Sequence, residues 1–502
     1  MREPTIPAAL DAAAERFAHH EAVVDGDVRL TFPDLRRHVR RCARFFQDRG
    51  IRPGDRVAVC SPNTWHWVVA ALGALYAGAT LVPVSTRFTT PEITDVLTRA
   101  KVSALVVTGR FLGVDRVAAL GGALPPTVLR VPVEGVEEEL AGVTEWKALA
   151  AYDDEFTSPA RPDDVSDILF TSGTTGRSKG AMSSHRQVLG VAAAWADCGR
   201  VRADDRYLVI NPFFHSFGYK AGIVVGLLTG AAILPQRTFD VAETLRLIDA
   251  ERVTVLPGAP TIYQVLLEAP ERAGHELSSL RLAVTGAASV PVTLVERMRA
   301  ELGFATVLTA YGLTEAVVAT MCRPEDPPEL VARTAGRATA GFEVKLGERD
   351  EVLLRGPNVM LGYLDDPKAT GEAIDADGWL RTGDVGELDA RGNLRITDRL
   401  KDMFTCGGFN VYPAEIEQAL ARLDGVAESA VVGVPDHRLG EVGKAHVVLR
   451  RGHELSTEDI IAYCKENLAN YKVPRYVEFR DGLPRNPSGK VLKRVLREES
   501  DG

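Results

Sequence analysis

Short runs of β-branched and apolar residues alternate with helical patterns along about the first 390 residues of the chain. Runs of this kind lie at residues 56–59, 103–107, 165–170, 253–256 and 281–284. Such alternation predicts parallel strands joined by crossover helices, which is an α/β fold. Because 502 residues exceed what a single core holds, we expect this part to form two parallel-rich α/β subdomains.

The pattern changes toward the C-terminus. Around residues 351–354 and 393–396 the strands become short and the turns dense, which predicts a small β-rich subdomain. Beyond residue 400 the expected elements are a helix at 414–423, strands at 429–434 and 446–449, a helix at 456–470 and a strand at 475–479. We therefore predict a large N-terminal domain over residues 1–400 and a separate α+β domain over residues 401–502.

The composition is typical of a globular protein, with 45% hydrophobic residues, 25% charged residues and a formal net charge of −9. An acidic chain without a concentrated basic region is not expected to bind nucleic acid. The six cysteines are scattered, which suits a reducing cytoplasm better than a disulfide framework. No apolar segment follows the first residues, so a secretory signal is not expected.

One stretch, residues 67–84, is almost entirely apolar. Gly73, Gly78 and Pro83 interrupt it, and its flanks show no asymmetry of charge. We predict a buried helix to about Tyr76, then a turn and a short strand, and no membrane span.

A glycine-rich loop follows the run at 165–170 and is the strongest single motif. Its sequence is Thr171-Ser172-Gly173-Thr174-Thr175-Gly176-Arg177-Ser178-Lys179-Gly180. Glycines let backbone N–H groups crowd toward an anion, hydroxyls add donors, and the two cations add positive charge. The motif departs from the Walker pattern, because Ser178 stands where that pattern has its second glycine. The loop therefore predicts a phosphate site of another kind.

This loop resembles the phosphate loop of the adenylate-forming enzymes, which include acyl-CoA synthetases, nonribosomal adenylation domains and firefly luciferase. The resemblance extends over most of the chain. It implies an ATP-dependent, AMP-forming acyl-CoA ligase that acts through an acyl-adenylate. ATP, Mg²⁺ and coenzyme A would be its cofactors, and a small-molecule carboxylic acid its substrate. The loop residues that the resemblance assigns to ATP are Thr171, Ser172, Gly173, Thr174, Thr175, Gly176, Arg177 and Lys179, with Thr171 also near the metal.

Further motifs extend the nucleotide site that the resemblance implies. In the motif at 311–315, Tyr311 would stack on adenine, Thr314 would bond the α-phosphate in a catalytic role, and Glu315 would bind Mg²⁺. Mg²⁺ is a hard cation that prefers carboxylate and phosphate oxygens. The other positions that the resemblance assigns to ATP are Gly286, Ala287, Ala288, Gly312, Asp384 and Arg399, the last two at the ribose.

The C-terminal domain carries its own matches to the family. Lys401 stands at the family's hinge, which implies that the domain beyond it is mobile. Gly407 and Gly408 resemble the loop that lines the pantetheine tunnel in acyl-CoA synthetases. Lys490 matches the family's catalytic lysine, whose positive charge would help to bring a carboxylate and a triphosphate together. Cys406 is interpreted as incidental, because no activating base is evident in the sequence.

The acid-binding pocket is less well defined by the sequence. The stretch 211–220 is rich in aromatic residues and contains no acidic residue, which disfavours an amino acid as the substrate. The resemblance gives His215 a place near the substrate carboxylate and a catalytic role. The positions expected to line the pocket are Phe214, His215, Gly258, Tyr263, Thr285, Ala310, Leu313 and Val317.

Two stretches, 61–67 and 198–220, carry a narrower resemblance. They are similar to the actinobacterial CoA ligases of steroid ring degradation, which activate an indane-dione propanoate. A medium-chain fatty acid or aryl acid ligase, an acyl-AMP ligase that loads a carrier protein, and an inactive nucleotide-binding scaffold are the alternatives. The resemblance also leaves a homodimer open.

Overall fold

The computed structural model describes residues 4–135, 140–171, 178–286, 290–400, 402–406, 409–485 and 489–500. The chain forms two compact units. The first comprises Met1–Glu343 and Leu354–Leu380, and the second comprises Val344–Leu353 and Arg381–Gly502. Residues 381–400 therefore group with the C-terminal residues. The functional boundary at residue 400 stays a prediction.

The strands are, in chain order, β1 (Glu21–Asp25), β2 (Val28–Thr31), β3 (Arg56–Cys60), β4 (Thr80–Pro83), β5 (Val102–Thr108), β6 (Arg110–Phe111), β7 (Val114–Asp115), β8 (Thr127–Val131), β9 (Thr144–Glu145), β10 (Val165–Thr171), β11 (Lys179–Ser184), β12 (Arg206–Val209), β13 (Ala232–Pro235), β14 (Val255–Pro257), β15 (Leu282–Gly286), β16 (Thr306–Tyr311), β17 (Thr320–Met321), β18 (Arg337–Ala338), β19 (Glu343–Leu346), β20 (Glu351–Arg355), β21 (Gly362–Tyr363), β22 (Leu380–Leu388), β23 (Leu394–Arg399), β24 (Phe404–Cys406), β25 (Phe409–Val411), β26 (Val426–Asp436), β27 (Gly440–Leu449) and β28 (Tyr476–Phe479).

The α-helices are α1 (Ile6–Arg16), α2 (Phe32–Asp48), α3 (Trp65–Tyr76), α4 (Thr90–Arg99), α5 (Arg116–Leu120), α6 (His185–Gly199), α7 (Ser216–Gly218), α8 (Val224–Thr229), α9 (Val241–Ala250), α10 (Pro260–Glu268), α11 (Val292–Glu301), α12 (Pro328–Arg333), α13 (Pro367–Ala373), α14 (Pro413–Leu420), α15 (Thr457–Asn467) and α16 (Lys493–Glu498). A π-helical turn, Tyr219–Ile223, joins α7 to α8.

Two large sheets build the first unit. A nine-stranded sheet has the order β18-β17-β16-β15-β14-β12-β13-β1-β2, and an eight-stranded sheet has the order β21-β11-β10-β4-β3-β5-β8-β9. Pairing is parallel through the centre of both sheets and antiparallel toward one or both edges. The predicted class, an α/β fold with two parallel-rich parts, is confirmed.

Local sequence signals account for several element boundaries in this unit. The apolar stretch forms α3, which ends at Tyr76, and then β4, as the glycines and the proline predict. Ser184 and Gln187 form the expected capping box at the start of α6. The strand expected at 253–256 begins only at Val255. The part of the chain that the structure describes has no helix that is both long enough and apolar enough to cross a membrane.

The second unit contains two smaller sheets. The order β19-β20-β22-β23 forms a four-stranded sheet, and β25-β24-β27-β26 forms another, to which β28 adds beside β27. The helices α14 and α16 contact β26, and α15 contacts β28. Ile416, Val431, Ala445 and Ile460 lie in the core that these elements share. The predicted β-rich part and the α+β part are therefore both present.

Candidate active site

The nine-stranded sheet has a topological switch point at the carboxyl ends of two neighbouring strands, β12 and β14. The chain leaves β12 toward β13 on one side, whereas it leaves β14 toward β15 on the other side. In open α/β sheets, ligands bind where consecutive connections diverge in this way. The segment that leads to Phe214 and His215 follows β12, and Gly258 follows β14. Three positions predicted for the acid pocket therefore follow the two strands of this switch point.

His215 has the geometry of a neutral hydrogen-bond donor. It precedes α7, and its Nδ1 accepts a hydrogen bond from the backbone N–H of Phe217 at 3.2 Å. The residue is exposed, and desolvation by the protein atoms around its ring lowers the pKa of His215. Because Nδ1 accepts, the neutral ring carries its proton on Nε2. His215 can therefore donate a hydrogen bond to a carboxylate.

Asn63, in the stretch 61–67, fixes the segment before His215. Asn63 donates hydrogen bonds to the carbonyl oxygens of Val209 and Asn211 at 3.2 and 3.0 Å. Its Oδ1 accepts from the backbone N–H of Phe213 at 2.7 Å. The rings of Trp67 and Phe213 are 5.2 Å apart. The stretches 61–67 and 198–220, which carry the narrower resemblance, thus pack against each other.

Lys220 connects the helix after His215 to the strands beside the glycine-rich loop. Its Nζ lies 2.8 Å from Asp167 Oδ1 and donates to Ser183 Oγ at 2.9 Å. The side chains of Lys220 and Asp167 are only 1% and 0% exposed. Asp167 lies on β10 and Ser183 on β11. The stretch 211–220 itself has no acidic residue, and the carboxylate that its lysine contacts, Asp167, is taken up by that ion pair.

The described ends of the glycine-rich loop are held in place. Thr171 ends β10 and Lys179 begins β11, and the two residues are antiparallel partners. Arg99 donates to the carbonyl oxygen of Ser178 at 2.7 Å, and its guanidinium lies 5.2 Å from the centre of the Phe170 ring. The predicted site residues that lie outside the described residues are Ser172, Gly173, Thr174, Thr175, Gly176, Arg177, Ala287, Ala288, Lys401, Gly407 and Gly408.

The ends of β15 and β16 approach each other very closely. Gly286 and Ala310 are register partners, and a side chain at residue 286 would run into the carbonyl oxygen of Ala310. A side chain at Gly312 would likewise run into the carbonyl oxygen of Val317. Val317 has a φ of 57°, which strains a β-branched residue. Strain of this kind, which costs on the order of 1–3 kcal/mol, is typical of ligand-binding loops.

The other positions predicted near the substrate differ in how deeply their side chains are buried. Leu313 is half-buried, and so are the neighbouring nucleotide-site positions Tyr311 and Thr314, which suits the wall of a site. Thr285 is buried, and its hydroxyl has no partner among the residues that the structure describes. Tyr263 is completely buried and donates its hydroxyl to the carbonyl oxygen of Leu256 at 2.7 Å.

Glu315 and Lys179 each contact a different part of one side chain, that of Tyr363, which is not among the predicted site residues. Tyr363 donates its hydroxyl to Glu315 Oε1 at 2.8 Å. The Nζ of Lys179 lies 5.0 Å from the centre of the same ring. Burial and the negative charge of Glu315 raise the pKa of Tyr363, so the hydroxyl stays protonated. Glu315 is only partly buried and offers a carboxylate, which fits a Mg²⁺ ion that shares phosphate oxygens.

The second unit holds the other predicted site residues. Asp384 and Arg399 are register partners on β22 and β23, and Arg399 Nε lies 3.0 Å from Asp384 Oδ1. Lys490 is exposed and follows Gly489, which has a φ of 84°. Arg485 donates to the carbonyl oxygen of Gly489 at 2.6 Å, which fixes the backbone just before the lysine.

Comparison with known families agrees with this arrangement. The AMP-binding enzyme family matches residues 10–364, and the AMP-binding enzyme C-terminal domain matches residues 415–490. The chain belongs to the AMP-binding enzyme family. The predicted membership of the adenylate-forming acyl-CoA synthetases is therefore confirmed, and with it the use of ATP.

Two curated members of the family are similar over nearly the whole chain. One is the 3-[(3aS,4S,7aS)-7a-methyl-1,5-dioxo-octahydro-1H-inden-4-yl]propanoyl:CoA ligase of Rhodococcus jostii (strain RHA1), which is 60% identical over 99% of this chain and 98% of the relative. The ligase of the same name from Mycobacterium tuberculosis (strain ATCC 25618 / H37Rv) is 57% identical over 98% of each chain.

A solved structure of the family has the same fold. ATP-bound MatB from Rhodopseudomonas palustris is 30% identical, with a TM-score of 0.88 over 99% of each chain.

Proposed function

We propose that this AMP-binding enzyme joins coenzyme A to an indane-dione propanoate, the acid named for its two curated relatives. The observation that carries the proposal is the packing of Asn63 and Trp67 against the segment that leads to His215. Residues of the two stretches that carry the narrower resemblance thereby support the wall of the acid pocket. The six cysteines are all buried free thiols, which supports a cytoplasmic enzyme. A homodimer remains a prediction.

In the first step, a carboxylate oxygen of the acid bonds to the α-phosphorus of ATP, and pyrophosphate leaves. Positioning and neutralisation of charge supply most of the catalysis in such a transfer. His215 holds the carboxylate through Nε2–H, Thr314 hydrogen-bonds an α-phosphate oxygen, and Lys490 offsets the negative charge. Mg²⁺, when bound at Glu315, supplies further positive charge beside the phosphate oxygens.

In the second step, the sulfur of coenzyme A attacks the acyl carbon of the adenylate, and AMP leaves with the electron pair. A free thiol has a pKa of about 8.5, so some thiolate exists at neutral pH. The resemblance to acyl-CoA synthetases assigns Gly407 and Gly408 to the pantetheine tunnel and Lys401 to the hinge between the two steps. Burial raises the pKa of the Cys406 thiol, which disfavours the thiolate form that a competing nucleophile would need.

A substrate screen tests this function. AMP release that depends on coenzyme A would be measured for the bicyclic propanoate, for straight-chain fatty acids and for aryl acids. We expect kcat/KM for the bicyclic acid to exceed the others by roughly 100-fold, since a misfit of one or two groups in an apolar pocket costs about 10- to 200-fold each. A preference for a straight-chain or aryl acid would reject the proposed substrate, and no AMP release with any acid would indicate an inactive scaffold.

Glu315→Gln tests the metal role. The amide keeps the size of the side chain but loses the negative charge that a hard cation requires. We expect the Mg²⁺ concentration for half-maximal pyrophosphate release to rise about 10- to 100-fold. Glu325→Gln, at an ion pair in which Glu325 is 58% exposed, is the matched control and should leave this concentration unchanged. An unchanged requirement in Glu315→Gln would assign the metal to another group.

A further inference from the structure

We infer that Tyr363 is a positioning residue that holds the metal-binding carboxylate of Glu315 and the phosphate-binding ammonium of Lys179 in one arrangement. The inference rests on the proposed Mg²⁺–ATP function and deepens it. The two charged groups lie on different elements: Lys179 begins β11, whereas Glu315 follows β16. Those strands belong to different sheets. A single side chain that touches both groups can set their separation.

The backbone around Tyr363 is anchored on both sides of the site. The N–H of Met360 donates to the carbonyl oxygen of Glu315 at 2.7 Å. The N–H of Leu364 donates to the carbonyl oxygen of Gly180 at 2.8 Å, and Tyr363 is the register partner of Ala181. This short segment therefore bonds to the motif that carries Glu315 and to the strand that carries Lys179. The tyrosine ring is placed by both.

The hydroxyl and the ring have separable effects. The hydroxyl fixes one oxygen of Glu315 and leaves the other to a cation, which is the usual arrangement of a ligating carboxylate and its outer partner. The ring face lies beneath the ammonium of Lys179, which restrains that cation without neutralising it. Removing the hydroxyl should therefore weaken metal binding. Removing the ring should in addition weaken nucleotide binding in the absence of metal.

The experiment compares Tyr363→Phe, Tyr363→Leu and Tyr76→Phe in the full-length enzyme. Tyr76 donates to Asp11 Oδ2 at 2.7 Å, so its phenylalanine variant loses the same kind of bond within the same unit. Calorimetry would measure binding of α,β-methylene-ATP, which cannot release pyrophosphate, with Mg²⁺ and with EDTA. A Mg²⁺ titration of pyrophosphate release would be run in parallel.

For Tyr363→Phe we expect about tenfold more Mg²⁺ to be needed for half-maximal activity, and weaker analogue binding with Mg²⁺ but not with EDTA. Tyr363→Leu should in addition weaken binding in EDTA by roughly two- to fivefold. Tyr76→Phe should change none of these quantities. A Mg²⁺ requirement in Tyr363→Phe within twofold of the parent, while Glu315→Gln raises it, would overturn this inference alone. If Glu315→Gln also has no effect, the proposed metal role fails and the inference fails with it.

Discussion

Lys490→Ala should slow formation of the acyl-adenylate by about 100- to 1,000-fold, which is the usual cost of removing one preorganised charge from such a transition state. The physical reason is that a carboxylate and a triphosphate repel each other until a cation offsets their charge. Attack of a neutral or weakly ionised thiol on a preformed adenylate lacks this repulsion. The second step should therefore be nearly unchanged. Pyrophosphate release would measure the first step, and thioester formation from a synthetic acyl-adenylate would measure the second.

Lys465→Ala is a suitable control for this prediction. Lys465 is an exposed lysine in the last turn of α15, in the same unit as Lys490. Its loss should leave both steps unchanged. An equal loss of both steps in Lys490→Ala would contradict the proposed role, because it would show a general loss of structure or of nucleotide binding.

Much of the fold could be predicted because its signals are local. The β-branched runs at 56–59 and 103–107 became β3 and β5, each extended at one or both ends. Glycine, proline and capping residues marked where α3 ended and α6 began. The carboxyl end of β10 was predicted to lead into a phosphate loop, and Thr171 does end that strand.

The contacts between distant segments could not be predicted in this way. Alternation of helices and strands predicts parallel pairing, yet β11 pairs antiparallel with β10 and with β21. Nothing in the sequence around Glu315 indicates that Tyr363, 48 residues later, bonds to it. The motif residues can be recognised because their pattern is local in the sequence. The residues that position them come from distant segments and are brought there only by the tertiary fold. Asn63 lies in the stretch 61–67, but nothing in that stretch predicts its three hydrogen bonds to the segment before His215.

Lys220→Met should be among the most destabilising single changes in the first unit. The variant leaves the carboxylate of Asp167 buried beside an apolar side chain, and an uncompensated buried charge costs about 3–5 kcal/mol. Lys220→Met combined with Asp167→Asn removes both charges, so we expect the double variant to be more stable than the lysine variant alone. Urea unfolding followed by tryptophan fluorescence would measure this. All five tryptophans, Trp65, Trp67, Trp146, Trp195 and Trp379, lie in the first unit, so the signal reports on that unit.

The matched comparison is Lys101→Met. Lys101 pairs with Asp365 at 3.2 Å in the same unit, but these side chains are 69% and 65% exposed. Water solvates both charges there, so Lys101→Met should lower the free energy of unfolding by less than about 1 kcal/mol. Equal effects of the two lysine substitutions would contradict a strongly coupled buried pair. If Lys220→Met lowers the free energy of unfolding strongly and Asp167→Asn partly restores it, each buried charge is stabilised by the other. The buried pair would then hold β10 and β11, which lie on either side of the glycine-rich loop, to the helix that follows His215.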